Sequence, residues 1–139
     1  MNRTIKFRGK SIYGDGWLLG SLIKIEEDRY AVIPNLNDIE IGKSIGMYEV
    51  YPETVGQFTG LLDKDGKEIY EGDILHTITF GFNPEEYTAI ILYDNCRFQL
   101  SNGRNLFYFG QSDLTRMDDT IMIGNIHDNP ELINMKKSN

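Results

Sequence analysis

The stretch 59–75, with the sequence TGLLDKDGKEIYEGDIL, decides the fold class of this chain. Asp65-Gly66 lies between two apolar flanks, and both residue types tolerate the positive φ angles that tight hairpin turns require. Gly72-Asp73 forms a second turn, and a run rich in β-branched residues follows it at 74–80. Because such runs favour extended backbone, the stretch predicts short strands joined by tight turns.

Apolar and polar residues alternate with a period of two in the segments that precede this stretch. Ile5 and Phe7 alternate with polar residues, and the odd-numbered residues of 17–25 share one face of a predicted strand. Helical turns are expected only at 112–119 and 129–133. Since the whole chain divides into nine or ten short strands, it is predicted to be mainly β with very little helix.

Length and composition describe a globular chain. Its 139 residues are the size of one typical domain, and 40% apolar with 25% charged residues excludes a disordered chain. The single cysteine, Cys96, excludes an internal disulfide and favours a reducing cytosol. The N-terminus has no apolar signal-peptide region, and no apolar run approaches the roughly 20 residues that cross a bilayer. We therefore expect a soluble cytoplasmic protein that does not enter a membrane.

Residues 63–66 look like the opening of a calcium-binding loop, because two aspartates stand two positions apart. In an EF-hand loop an acid belongs at position 12 and a glycine at position 6. Here Ile74 stands at position 12 and Gly66 at position 4, and the flanks are predicted strands. A plain turn explains the pattern better.

The remaining chemistry-bearing residues form no catalytic or metal motif. The spacing among His76, Cys96 and His127 fits no zinc site, and Cys96 is expected to be a buried, small apolar residue. Acids crowd two turns at 68–73, where loop capping explains them more simply than acid–base catalysis. The glycines form no phosphate-binding loop. We therefore expect a protein that is not an enzyme and that binds no cofactor or metal.

Basic residues concentrate at the N-terminus. The first ten residues contain four basic side chains and no acid, whereas the rest of the chain contains ten basic and all twenty-one acidic residues. The net charge of −7 is therefore polarised along the chain. A DNA-binding protein usually concentrates Lys and Arg, because phosphate neutralisation supplies much of its affinity. The candidate contacts for a partner or a nucleic acid are Arg3, Lys6, Arg8 and Lys10.

Two structural alternatives remain open for this basic stripe and its aromatic neighbours. A basic edge strand can block aggregation, or it can pair with acids elsewhere in the chain. Trp17 and the other aromatic residues could stack on bases, but at strand spacing they are more typical of a core.

Three sequence blocks form a longer pattern: IKFRGK at 5–10, VGQFTGLLDKDGKEIYEGDIL at 55–75 and IGNIHDNPEL at 123–132. In order and spacing, the pattern resembles the YopX family of bacteriophage and prophage proteins over essentially the whole chain. The resemblance implies an all-β protein whose C-terminal half is an SH3-like small barrel.

The resemblance also suggests how the chain is divided. It implies a single unit, 1–139, with an N-terminal β subdomain at 1–58 and an SH3-like barrel subdomain at 59–139. The motif residues then have structural roles. Glycines 60, 66 and 72 permit turns, and Asp73 is expected to bond backbone amides in the turn before its strand. The residues expected to supply the core are Ile69, Tyr70, Ile74 and Leu75.

The YopX family is functionally uncharacterised, so the resemblance carries no catalytic or binding residues. We expect a phage or prophage accessory protein that is a non-enzymatic protein-interaction module in the host cytoplasm. Its partner would be a second copy of the chain or a host or phage protein, held at an open sheet edge or at the loop 34–47. The alternative is a nucleic-acid-binding protein that uses the Lys6/Arg8/Lys10 face.

Overall fold

The chain divides into two compact units, Met1–Phe58 and Thr59–Asn139, in a computed structural model. The prediction of a mainly β protein is confirmed, because strands dominate the described residues and helix is confined to short turns. Among the residues that the structure describes, no helix has the length and apolar character needed to span a membrane. The structure describes residues 4–14, 16–34, 46–78, 86–94, 96–101, 106–108 and 120–133.

The first unit is one antiparallel sheet with the strand order β4-β3-β2-β1-β5. A short 3-10 helix, Pro52–Thr54, precedes β5, and proline suits its first turn because the missing N–H has no helical partner there. Most of the predicted loop 34–47 lies outside the described residues. The strands are β1 (Phe7–Lys10), β2 (Trp17–Glu26), β3 (Arg29–Pro34), β4 (Tyr48–Val50) and β5 (Gly56–Leu62). Only the part of β5 up to Phe58 belongs to this unit.

This sheet curls so that the end of β1 returns to β4. Ser11 forms a bridge with Val50, and the Tyr51 N–H donates to the Lys10 carbonyl at 2.9 Å. The Thr54 hydroxyl accepts the Lys10 N–H at 2.9 Å, which ties the 3-10 helix to β1. The curl encloses a small core in which Val50 is fully buried.

The second unit contains a five-stranded antiparallel sheet with the order β10-β9-β8-β7-β11. Its core joins Ile69, Leu75, Ala89, Ile91 and Leu100, all with 0% exposure. In addition, β6 pairs with the end of β5 in a hairpin. The strands are β6 (Glu68–Tyr70), β7 (Asp73–Ile78), β8 (Glu86–Asp94), β9 (Arg97–Ser101), β10 (Leu106–Tyr108) and β11 (Ile121–Asn125).

Several expectations for the second unit can now be compared with the structure. The predicted core residues Ile69, Tyr70, Ile74 and Leu75 are all buried, as expected. The helical turn predicted near the C-terminus is present at 131–133, whereas the turn predicted at 112–119 lies outside the described residues. The SH3-like barrel predicted for 59–139 is not confirmed, because the described strands of this unit form an open sheet that ends at β10 and β11.

Candidate functional site

The basic stripe lies on one face of the first sheet. Lys6, Arg8 and Lys10 occupy alternate positions along and just before β1, so their side chains share a face. The register places Arg8 opposite Leu19 and Lys10 opposite Trp17 of β2. Arg3, the fourth candidate, lies outside the described residues.

Each cation of the stripe lies over an aromatic ring. The Arg8 guanidinium carbon is 4.5 Å from the centroid of the Trp17 ring, and the Lys10 ammonium is 5.8 Å from the same centroid. The Lys6 ammonium is 5.1 Å from the centroid of Phe58. Attraction between a cation and a ring quadrupole holds these side chains in place. As a result Arg8 is only 8% exposed, while Lys6 and Lys10 are half-buried.

Exposed apolar side chains continue this face along β2. Leu19 is 46% exposed and Ile23 is 38% exposed, and both follow Trp17 at the strand period. We call the surface formed by Lys6, Arg8, Lys10, Trp17, Leu19 and Ile23 the β1–β2 face. It combines cations held by aromatic rings with exposed apolar side chains.

The far end of the same sheet carries a neutralised charge cluster. Arg29 donates to both carboxylate oxygens of Glu49, at 2.8 and 3.1 Å, and to Glu26 at 2.8 Å. Hydrogen bonds to Glu49 and then Glu26 raise the pKa of Arg29, and the guanidinium lowers the pKa of Glu49. Two acids therefore engage this cation at the end of the sheet.

A groove of about 230 Å³ opens beside Lys6. It lies where Gly20 of β2 is flanked by Phe7 of β1 and Pro34 of β3. Lys6 contributes the charged side chain of its lining, and the remaining walls combine apolar with hydroxyl-bearing side chains. The lining residues are Thr4, Ile5, Lys6, Leu19, Gly20, Ser21 and Pro34.

The aspartates singled out in the central motif have structural partners. Asp63 is 6% exposed, and its carboxylate accepts the N–H groups of Asp65 and Lys67 at 2.9 Å and of Met122 at 3.0 Å. Burial raises the pKa of Asp63, but these three amide hydrogen bonds outweigh it, so the pKa is lowered. Asp73 accepts the Tyr70 N–H at 2.7 Å, the turn contact expected from the sequence.

The residues considered for metal binding or nucleophilic catalysis are dispersed. Cys96 is exposed, at a positive φ of 63°, so the expectation of a buried cysteine is wrong. His76 lies 3.4 Å from the Thr88 hydroxyl, while the backbone N–H of His127 donates to Asn125. Within the described residues, no group of three or more His, Cys, Asp or Glu side chains could hold a metal ion.

Fold and site together define a small, mainly β protein with two antiparallel sheets and a basic, partly apolar sheet face. The family model for the YopX protein matches residues 6–134, so the chain belongs to the YopX family. The crystal structure of protein EF1440 from Enterococcus faecalis is similar, with 29% sequence identity and a TM-score of 0.61. This similarity covers 95% of the present chain and 99% of that protein. No curated protein matches the chain.

Proposed function

We propose that this YopX-family chain is a non-enzymatic protein-interaction module. In this proposal it is an accessory protein of phage or prophage origin that acts in the host cytoplasm. The β1–β2 face binds an acidic, partly apolar surface of a host or phage protein. The observation that carries the proposal is the row of exposed apolar residues on β2 beside the fixed cations of β1.

The composition of the β1–β2 face suits a protein partner. Protein interfaces combine an apolar centre with polar groups that set orientation and specificity. Leu19 and Ile23 supply apolar area, and the neighbouring cations favour carboxylates over other groups. Because Lys10 is held near the Trp17 ring, less side-chain entropy is lost when it binds a partner.

The non-enzymatic part of the proposal rests on the roles of the motif acids. Asp63 and Asp73 are the buried carboxylates of the central motif, and both accept backbone N–H groups. Such hydrogen bonds orient turns and favour the ionised form of the carboxylate that accepts them. At Asp63 they lower the pKa, which is opposite to the raised pKa of a carboxylate that serves as a general acid.

Nucleic acid is the alternative ligand for the same face. Lysine and arginine interleaved with aromatic rings are typical of single-strand binding surfaces, where bases stack on the rings. On this face, however, the Arg8 guanidinium lies 4.5 Å from the Trp17 ring centroid. A base that stacks on that side of the ring would displace the cation. The exposed leucine and isoleucine also contribute nothing to phosphate binding, and the protein partner is therefore favoured.

Reversing the charge of the stripe is expected to abolish partner capture. The double variant Lys6→Glu/Lys10→Glu replaces two half-buried cations of the face with anions, which repel an acidic partner. Recovery of the specific partner from a lysate of the encoding bacterium should fall by about tenfold or more. Mass spectrometry of captured proteins measures this recovery, and circular dichroism verifies that the variant is folded.

The matched control is Lys64→Glu, an exposed charge reversal in the second unit. It should capture the partner as the unchanged protein does. Equal recovery by all three proteins would contradict the proposal. A single-stranded oligonucleotide that shifts in a gel with the unchanged protein, but not with Lys6→Glu/Lys10→Glu, would instead favour the nucleic-acid alternative. Light scattering shows whether the partner is a second copy, because a monomer has a mass of 16.0 kDa.

A further inference from the structure

We propose that the groove beside Lys6 is the anchor site of the β1–β2 face. It takes one apolar side chain from an acidic partner segment, and Lys6 holds a carboxylate next to that side chain. This inference rests on the proposed function and names the chemistry of the partner at one point of the face.

The size of the groove favours a single side chain over a small-molecule ligand. Its volume is about 230 Å³, whereas ligand pockets usually measure about 300–1,000 Å³. Ile5 is 43% exposed and Leu19 is 46% exposed, and Pro34 adds a third apolar wall. An inserted aliphatic side chain would remove these apolar surfaces from water, which is the main source of affinity at anchor positions.

The charge of the groove favours a carboxylate beside that side chain. Lys6 is the charged residue of the lining, and its ammonium is held near the Phe58 ring, 5.1 Å from the centroid. The hydroxyl-bearing residues Thr4 and Ser21 also line the groove and can donate to carboxylate oxygens. An acidic residue next to the apolar one therefore meets a cation and hydroxyl donors, whereas a basic residue would meet a like charge.

The position of the groove connects it to the rest of the β1–β2 face. Leu19 belongs to both surfaces, and Lys6 is the first cation of the stripe. A partner segment anchored in the groove can therefore continue along the cations of β1. Continuity of this kind is expected of an interface with one deep anchor and a shallower polar surround.

A short peptide tests the groove without the natural partner. The probe is a short peptide with blocked, uncharged termini and one leucine between two glutamates. It is titrated into the ¹⁵N-labelled full chain, and binding is followed by NMR. We expect saturable shifts of the Gly20 and Ser21 amides, with a Kd of about 0.5 mM for a single anchor. The same peptide with serine in place of leucine, or with glutamine in place of glutamate, should bind about tenfold more weakly.

Variants of the chain locate the binding. Ser21→Tyr fills the groove from an exposed strand position that tolerates an aromatic residue, and Lys6→Gln removes the cation. Each should weaken peptide binding by about tenfold, whereas the control Lys64→Gln should leave it unchanged. No saturable binding to the unchanged chain, or equal binding by Ser21→Tyr, would overturn the anchor site.

The two proposals can fail separately. If partner capture depends on Lys6 and Lys10 but Ser21→Tyr captures normally, the interaction module stands and the anchor site is wrong. If Ser21→Tyr loses both the peptide and the partner while its spectrum remains that of a folded protein, both proposals are supported. If the peptide binds in the groove but capture is insensitive to Lys6→Glu/Lys10→Glu, the peptide chemistry of the groove is supported and the proposed function fails.

Discussion

Replacing Gly20 with alanine is expected to lower the free energy of unfolding by about 3 kcal/mol. A Cβ atom at this position would overlap the carbonyl oxygen of Ile33 and lie 3.0 Å from Cα of Pro34. Both obstacles are backbone atoms of β3, which pairs with β2 at this point, so neither can rotate away as a side chain could. Relief of the overlap therefore requires separation of the two strands.

Gly14→Ala is the matched control for this substitution. A Cβ atom at Gly14 meets nothing within 4 Å, so its effect should be within about 0.5 kcal/mol. Alanine also restricts the unfolded chain, which on its own would stabilise the protein slightly. Urea unfolding measures both variants. Equal stability of Gly20→Ala and the unchanged protein would show that β2 and β3 separate locally at little cost, and would contradict the prediction.

Asp63→Asn is the second change with a large expected effect, a loss of about 3 kcal/mol of unfolding free energy at neutral pH. The carboxylate accepts three backbone N–H groups, two in the turn and one from Met122 of β11. An asparagine side chain offers one carbonyl oxygen, while its NH₂ group can only donate. At least one buried N–H would therefore lose its acceptor, and the charge-assisted character of the others would be lost.

The pH dependence of stability provides an independent measurement for the same residue. The pKa of Asp63 is lowered from its ordinary value of 3.8 in the folded protein. Its contribution to stability is therefore complete above that ordinary value and is lost as the pH falls through the lower, folded pKa. The stability gap between the unchanged protein and Asp63→Asn should narrow in acid.

Asp65→Asn provides the control, because Asp65 is exposed in the same turn. It should match the unchanged protein at neutral pH, within about 0.5 kcal/mol. A gap between the unchanged protein and Asp63→Asn that stays constant from neutral pH into strong acid would contradict the charged-acceptor explanation. Chemical unfolding at several pH values makes the comparison.

Local signals predicted the central hairpin well. Asp65-Gly66 was expected to turn the chain, and β5 and β6 flank a turn in which Gly66 has a φ of +82°. The contact between Asp73 and the turn before β7 was also accessible, because it spans three residues. The full structural role of Asp63 does not follow from its neighbours in the sequence. Its position two residues before Asp65 was a signal for an Asx turn, but its bond to Met122 spans 59 residues.

The candidate site was predictable only in part. Alternation placed Lys6, Arg8 and Lys10 on one face of a strand. Their rings could not be identified from the sequence, because Trp17 and Phe58 meet the stripe only through the pairing of β1 with β2 and β5. The exposure of Cys96 does not follow from its residue type, because residue type predicts burial only on average.

The sequence by itself determined the strand period, the main turns, the charge polarity and the family, because each depends on residues close together in the chain or on a pattern of blocks. Only the tertiary structure decided which strands became neighbours. The overlap at Gly20, the third amide on Asp63 and the groove beside Lys6 all arise where separate strands meet. Pairing register places such residues side by side, and no local pattern specifies that register completely.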